Sequence, residues 1–257
     1  MGNIDAPIAV FDSGLGGVSV LREMIKVMPY EDMYYFGDSI NAPYGTKSLE
    51  QVRELTISHV ERFMEMGAKG VVVACNTATS AAVRKLRQMY PTLPLVGIEP
   101  AVKPAVERFP TGNILVMATP MTIREEKLHR LIERFGGDAN VIPLACPGLM
   151  DFVEAGNIDS PEIYGFLRDI LEPYKGQLDG VVLGCTHYPF VRRAIEDILG
   201  HQVMIFDGGE GTAKEIKRRL EISGLLREDA RRKGEIIFEN SNNSQQKRDL
   251  FWKLLNY

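Results

Sequence analysis

Two cysteines carry the chemistry visible in this sequence. Cys75 closes the apolar run GVVVA (70–74), and Cys185 stands inside GVVLGCTHYPF (180–190). The two stretches align, with Gly70-Val71-Val72 on Gly180-Val181-Val182, Cys75 on Cys185, and Asn76-Thr77 on Thr186-His187. In each, a β-branched run of the kind buried in a parallel sheet leads through the cysteine into small polar residues that can start a helix. A helix N-terminus carries about half a positive charge and favours a thiolate. A thiol so placed can serve as nucleophile, metal ligand, redox partner or proton-transfer base. One strand-end cysteine alone reads as a small buried side chain; the repeat argues for chemistry.

Spacing sorts these uses. No C-x-x-C or H-x-x-x-H pair is present to complete a zinc tetrahedron, and dithiol redox sites use neighbouring cysteines. A cysteine hydrolase needs one thiol with a base, which His187 could supply to Cys185, leaving Cys75 idle. Two bases on opposite faces of one carbon do something else: one removes a proton, the other returns one to the far face, and configuration inverts. A duplicated domain supplies the near-mirror half-sites that such a reaction needs. A carboxylate-binding protein without catalysis is the remaining reading.

The elements that must position the thiols follow a βαβα pattern. PIAVF (7–11) reads as a buried strand, DSGLGG (12–17) as a tight turn, and 18–28 as a helix whose N-terminus could face a phosphate or carboxylate. MYYFG (33–37) is a second strand, followed by the loop NAPYG (41–45). Residues 49–66 form an amphipathic helix stopped by Gly67, with His59 expected at its surface or boundary. After the first thiol a helix is expected from near Ala78, capped by Thr77, Thr79 or Ser80. PLVGI (94–98) is a further short strand.

The second half repeats the plan. NILVMAT (113–119) resembles PIAVFDS and sets Asp12 against Ala118 and Ser13 against Thr119. Residues 119–137 read as one helix with a Thr122/Glu125 capping box, and 141–156 as a strand and a loop or short helix. A helix over 160–176, a strand at 203–207 and a helix from 207 follow. EIIF (235–238) reads as a strand, ENSNNSQQK (239–247) as a polar loop, and the end of the chain as a helix packed on the first half. The fold class expected is α/β: two similar, doubly wound domains with mostly parallel sheets, related by a pseudo-two-fold axis, with the active site in the cleft between them. Their bounds are expected at 1–97 with 208–257, and 98–207.

Composition narrows the setting. The 257 residues are 45% hydrophobic and 25% charged, as in ordinary globular chains. A net charge of −4 gives no reason to expect nucleic acid or an anionic membrane as partner. No apolar run approaches the roughly 20 residues that span a bilayer, and MGNIDAPIAVF lacks the basic start and apolar core of a signal peptide. The expected place is the cytoplasm, where thiols stay reduced. Cys146 leaves an odd cysteine count, which argues against a disulfide framework.

FDSGLGG (11–17), APYG (42–45), ACNTATS (74–80), IEPA (98–101), CP…VEAG (146–156), LGCTHYP (183–189) and DGGEGTA (207–213) together resemble the glutamate racemases, of the cofactor-independent aspartate/glutamate racemase superfamily. The resemblance covers nearly the whole chain. It implies interconversion of L- and D-glutamate with no pyridoxal phosphate or other cofactor and no metal, supply of D-glutamate for peptidoglycan, and a homodimer. It implies that Cys75 deprotonates D-glutamate and Cys185 L-glutamate. Asp12 would assist the first thiol; Glu154 and His187 would assist the second. Substrate contacts would come from Asp12, Ser13, Tyr44, Gly45, Asn76, Thr77, Thr186 and His187, with Thr119 and Thr122 at the side-chain carboxylate. The DGGEGTA turn departs from the pattern by a glycine where serine or alanine is expected. The start just before the first strand leaves no room for the extension of members that need a peptidoglycan-precursor activator.

Overall fold

The computed structural model describes residues 3–229 and 232–257. The chain forms two compact units: Met1–Ile98 with Gly209–Tyr257, and Glu99–Gly208. In the first, β1 (Ile8–Asp12), β2 (Met33–Gly37), β3 (Gly70–Val73), β4 (Leu95–Gly97) and β9 (Ile236–Asn240) form a sheet in the order β4-β3-β1-β2-β9. In the second, β5 (Asn113–Ala118), β6 (Asn140–Ala145), β7 (Gly180–Leu183) and β8 (Met204–Asp207) take the order β6-β5-β7-β8. Every pairing between these strands is parallel.

The two orders are one pattern. In each unit the first strand is flanked by the second on one side and the third on the other, and the fourth follows the third. The chain therefore reverses its winding between β1 and β3, and again between β5 and β7. Such switch points leave a crevice at the carboxyl ends of the two strands, where open α/β sheets bind ligands. β9 is the one strand without a counterpart.

Helices enclose the sheets because the strands are apolar on both faces: all residues of β1, β2, β3 and β7 are buried. In the first unit α1 (Val18–Val27), α2 (Leu49–Glu65), α3 (Asn76–Met89), α10 (Gly209–Ile222) and α11 (Gln245–Leu255) surround the sheet. Ser48 and Gln51 close a reciprocal capping box at the start of α2, and Gly67, at φ +80°, turns the chain out of its end. In the second unit α4 (Val102–Arg108), α5 (Pro120–Arg124), α6 (Glu126–Phe135), α7 (Leu149–Glu154), α8 (Pro161–Leu171) and α9 (Arg192–Leu199) do the same. Its core includes Val102, Ala105, Ile114, Val116, Leu128 and Val182.

Three local expectations are corrected. Residues 119–137 are two helices, broken at Glu125 (φ −70°, ψ 133°), and the cap is Thr119, whose hydroxyl accepts the Thr122 N–H. α3 starts at Asn76, and its cap is Cys75 rather than a threonine or serine. The segment 239–247 is mostly ordered: Glu239 and Asn240 extend β9, and Gln245 opens α11. His59 lies at the boundary of α2, as expected: 17% of its side chain is exposed, and its ring packs against Phe11 and Phe36.

At the opposite end of the first sheet an ion network ties the chain together. Lys69 and Glu31 form a pair 2.5 Å apart with both side chains fully buried, and Lys69 also donates to the Ile4 carbonyl. Glu31 accepts the Arg227 backbone N–H, and the Arg227 guanidinium reaches Asp32 at 2.9 Å. The segment after α10 is thereby fastened to β1 and β2.

Candidate active site

Cys75 lies at the switch point of the first sheet, 6% exposed, between the end of β3 and the start of α3. Its sulfur accepts the Ala78 backbone N–H at 3.4 Å and lies 3.5 Å from the Ser13 hydroxyl. A thiolate here meets the partial positive charge of the helix end directly. Asp12, the last residue of β1, is fully buried and accepts the Gly14 N–H through its carboxylate. Gly17 makes this approach possible, since a Cβ on it would come within 2.7 Å of Asp12 Cβ. Asn76 is 6% exposed, and among the described residues neither its side-chain oxygen nor its nitrogen has a hydrogen-bond partner. A buried, unsatisfied amide costs about 1–3 kcal/mol, so its place beside a thiol suits a polar ligand.

The loop after β2 brings Tyr44 and Gly45 to this region on a turn of 3-10 helix, Tyr44–Thr46. The carboxylate of Asp38 holds that loop together. It accepts from the Tyr44 hydroxyl at 2.7 Å and from the Asn41 amide at 3.0 Å, and lies 3.0 Å from His59 Nε2. Burial alone would raise the Asp38 pKa, but hydrogen bonds from His59, Tyr44 and Asn41 outweigh it and bring it to about 2. Burial, followed by the charges of Asp38, Cys75 and Asp12, pushes the Tyr44 phenol well above its ordinary range. Tyr44 therefore stays a neutral donor near the first thiol.

Cys185 occupies the matching switch point of the second sheet, 7% exposed. Gly184 before it has no room for a side chain: a Cβ would lie 2.9 Å from the Met117 carbonyl oxygen. His187 Nδ1 is 3.6 Å from Cys185 Sγ, and His187 Nε2 is 2.8 Å from Glu154 Oε1. Burial would lower the His187 pKa, but the hydrogen bonds and charges of Cys185 and Glu154 dominate and raise it well above the usual value. The Thr119 hydroxyl donates to Thr122 Oγ1 at 3.0 Å, and both threonines and Thr186 are buried. Cys146 sits at the end of β6, where burial and then the nearby Cys185 push its thiol up to about 12.

Residues 14–216 match the model of the family described as Asp/Glu/Hydantoin racemase. The chain belongs to this family. It is an isomerase, an amino-acid racemase. Among curated relatives, the glutamate racemase of Clostridium perfringens (strain SM101, type A) is 47% identical over 252 residues, covering 98% of this chain and 96% of its own. Two solved structures are similar throughout. One is the glutamate racemase of Thermus thermophilus in complex with beta-chloro-D-alanine: 34% identity, TM-score 0.82, covering 98% of this chain and 94% of that one. The other is isoform RacE1 from Bacillus anthracis: 31% identity, TM-score 0.89, covering 99% and 96%.

In this racemase the anticipated residues fall into two groups. Asp12, Ser13, Tyr44, Gly45, Asn76 and Thr77 lie with Cys75 in the first unit. Thr119, Thr122, Glu154, Thr186 and His187 lie with Cys185 in the second. Sequence reasoning did not reach Asp38 or Tyr188, and gave His59 no part in the site. Asp38 had a signal: Asp38-Ser39 follows the end of β2, much as Asp12-Ser13 stands at the end of β1. Tyr188 is fully buried, and its hydroxyl donates to the Cys146 carbonyl at 3.3 Å. His59 carried none, since a histidine on an amphipathic helix reads as a boundary residue.

Proposed function

We propose that the protein interconverts L- and D-glutamate by proton transfer at the α-carbon through two thiols, without a cofactor or metal. The observation that carries this reading is the pairing of Cys75 and Cys185 with the two switch points, each thiol facing a helix start or an acid–base partner. The substrate assignment draws on the relatives named glutamate racemase.

The thiolate of Cys75 takes the α-proton of D-glutamate, leaving a carbanion conjugated with its carboxylate. The Cys185 thiol then gives its proton to the opposite face. Cys75 ends protonated and Cys185 as thiolate, which is the starting state for L-glutamate. The Ala78 N–H and the Ser13 hydroxyl stabilise the first thiolate, with Asp12 assisting proton transfer beside it. The His187 imidazolium, held by Glu154, stabilises the second and can protonate it. Ser13, Tyr44, Gly45, Asn76 and Thr77 hold the substrate on one side, and Thr119, Thr122, Thr186 and His187 on the other. None of these contacts is a lysine or arginine, so amides, hydroxyls and backbone N–H groups carry the recognition of both carboxylates. The α-proton is a very weak acid, and a preorganised, water-poor site must supply the stabilisation that a thiol lacks as a base.

The same proposal places the enzyme in the cytoplasm as a homodimer that supplies D-glutamate for peptidoglycan. Among the described residues no helix is long and apolar enough to cross a membrane. The deciding experiment follows L- or D-glutamate by circular dichroism in deuterated water with purified enzyme. Loss of ellipticity with one deuteron entering the α-position is expected. Cys75→Ala and Cys185→Ala should each reduce racemisation by at least about a thousandfold, the scale of losing an acid–base group. Full activity in either variant would end the two-thiol reading. The line Cys185–His187–Glu154 also has the form of a hydrolytic triad; release of ammonia from an amide by Cys75→Ala would establish that instead.

A further inference from the structure

Tyr44 is 1% exposed at the end of a loop whose own backbone makes few regular bonds, so something outside the loop must hold it. Much of that hold comes from the last strand of the chain. β9 pairs with β2 in register, Gly37 opposite Asn240. The pairing then runs one residue past the end of β9. The Ser241 N–H donates to the Gly37 carbonyl at 2.9 Å, and the Ile40 N–H donates to the Ser241 hydroxyl at 2.9 Å. Asn240 is 3% exposed, and both ends of its amide are used: Nδ2 donates to the Ser39 hydroxyl at 2.9 Å, and Oδ1 accepts the Asn242 N–H at 2.8 Å. Gly37 fits only because it lacks a side chain; a Cβ there would strike the Gly14 carbonyl and approach Asn240 Nδ2 to 2.7 Å.

On its other flank the loop is pinned to the first thiol's own turn. The Asp38 N–H donates to the Asp12 carbonyl at 2.9 Å, and the Tyr35 hydroxyl donates to the Gly14 carbonyl at 2.9 Å. The start of the loop is therefore clamped between the turn after β1 and the turn after β9. Everything downstream hangs from that clamp through the Asp38 carboxylate, which holds Asn41 and Tyr44. We infer that Asn240 and Ser241 are positioning residues of the active site, setting the Asp38–Gly45 loop so that Tyr44 and Gly45 meet the substrate. This rests on the reading of that pair as substrate contacts. The polar stretch 239–247 thus acquires a role that its composition did not disclose.

Two measurements test it. Hydrogen exchange of the intact enzyme reads the clamp itself: Asn240→Ala and Ser241→Ala should speed exchange in residues 38–46 while leaving β5 and β7 as in the wild type. Steady-state kinetics read its consequence. Each variant should raise KM for both glutamate enantiomers by about fivefold, the worth of one ordinary hydrogen bond, with kcat within about twofold. Ser241→Thr keeps the acceptor for Ile40 and should restore KM. In a Tyr44→Phe background, Asn240→Ala should add less than it does alone, because both act through one loop. Unchanged exchange at 38–46 overturns the clamp. An unchanged KM, equal impairment in Ser241→Thr, or full additivity with Tyr44→Phe overturns its role in the reaction. A wild type that does not racemise glutamate counts against the proposed substrate, while the exchange result still decides the clamp.

Discussion

The Glu154 carboxylate stands 2.8 Å from Nε2 of His187, on the side of the ring away from Cys185. A carboxylate at that distance fixes the ring and favours its charged form, which a nearby thiolate needs. Glu154→Gln keeps the shape and removes the charge. Because the two enantiomers have equal free energy, kcat/KM must fall by the same factor in both directions, about tenfold for an orienting partner of this kind. The asymmetry appears elsewhere. In the proposed mechanism Cys185 takes the proton of L-glutamate, so the isotope effect with α-deuterated L-glutamate should rise, while the effect with the D-enantiomer should not. Equal changes for both enantiomers would argue against the assignment of Cys185 to L-glutamate.

The same contact predicts a pH dependence. The folded pKa of His187 is raised above the unfolded value of about 6.5. A group shifted this way contributes stability that is complete below about pH 6.5 and disappears as pH climbs through the raised value. In Glu154→Gln the raised value drops, so the alkaline limbs of both the stability curve and kcat should move to lower pH. Chemical unfolding and initial rates from pH 6 upward, compared with wild type, check the direction.

Asp38 behaves oppositely. Its folded pKa of about 2 lies below the unfolded value of about 3.9. Its contribution is present above about pH 4 and is lost as pH falls through 2. Asp38→Asn should cost about 2 kcal/mol at neutral pH, and its deficit should shrink steadily below pH 4. Urea titrations over that range measure it; a deficit independent of pH would mean that the charge is not what matters.

The buried Lys69–Glu31 pair gives a stability prediction away from the site. Lys69→Met leaves a carboxylate without its cation in a fully buried position, and should cost about 3–5 kcal/mol. Changing Glu31 to Gln as well removes the stranded charge and should recover part of the loss, because Oε1 can still accept from the Arg227 N–H. A double variant no more stable than Lys69→Met would show that the pair contributes by packing alone.

How far these features could be read from residue order differs by kind. The two half-sites were legible because the signal was repeated: GVVVAC and GVVLGC need the same buried strand ending in the same place. The parallel sheets followed from the βαβα pattern, since parallel strands need crossover connections, whereas the order of the strands is not written in that pattern. What escaped was fixed by contacts between distant segments. Nothing local marks Glu125 as a break, because glutamate is a good helix former. Cys75 was not read as a cap because cysteine is not among the residues that normally cap helices. Its sulfur can reach the Ala78 N–H only because β3 delivers it there. Asn240 looked like one polar residue in a polar run until β2 was placed beside it.

The insertion of one unit within the other has a consequence for biosynthesis. Glu99–Gly208 is continuous and can complete its sheet as soon as it has been made. The first unit cannot. Until Ile236–Asn240 leaves the ribosome, β2 presents an open edge of unpaired N–H and C=O groups, and the Asp38–Gly45 loop lacks its outer clamp. During that interval the nascent chain already carries both thiols without a finished scaffold for the first. The period of greatest exposure to sticking and misassembly is therefore the delay between two strands that lie side by side in the finished enzyme, and by the proposed clamp it is also the wait for a competent active site.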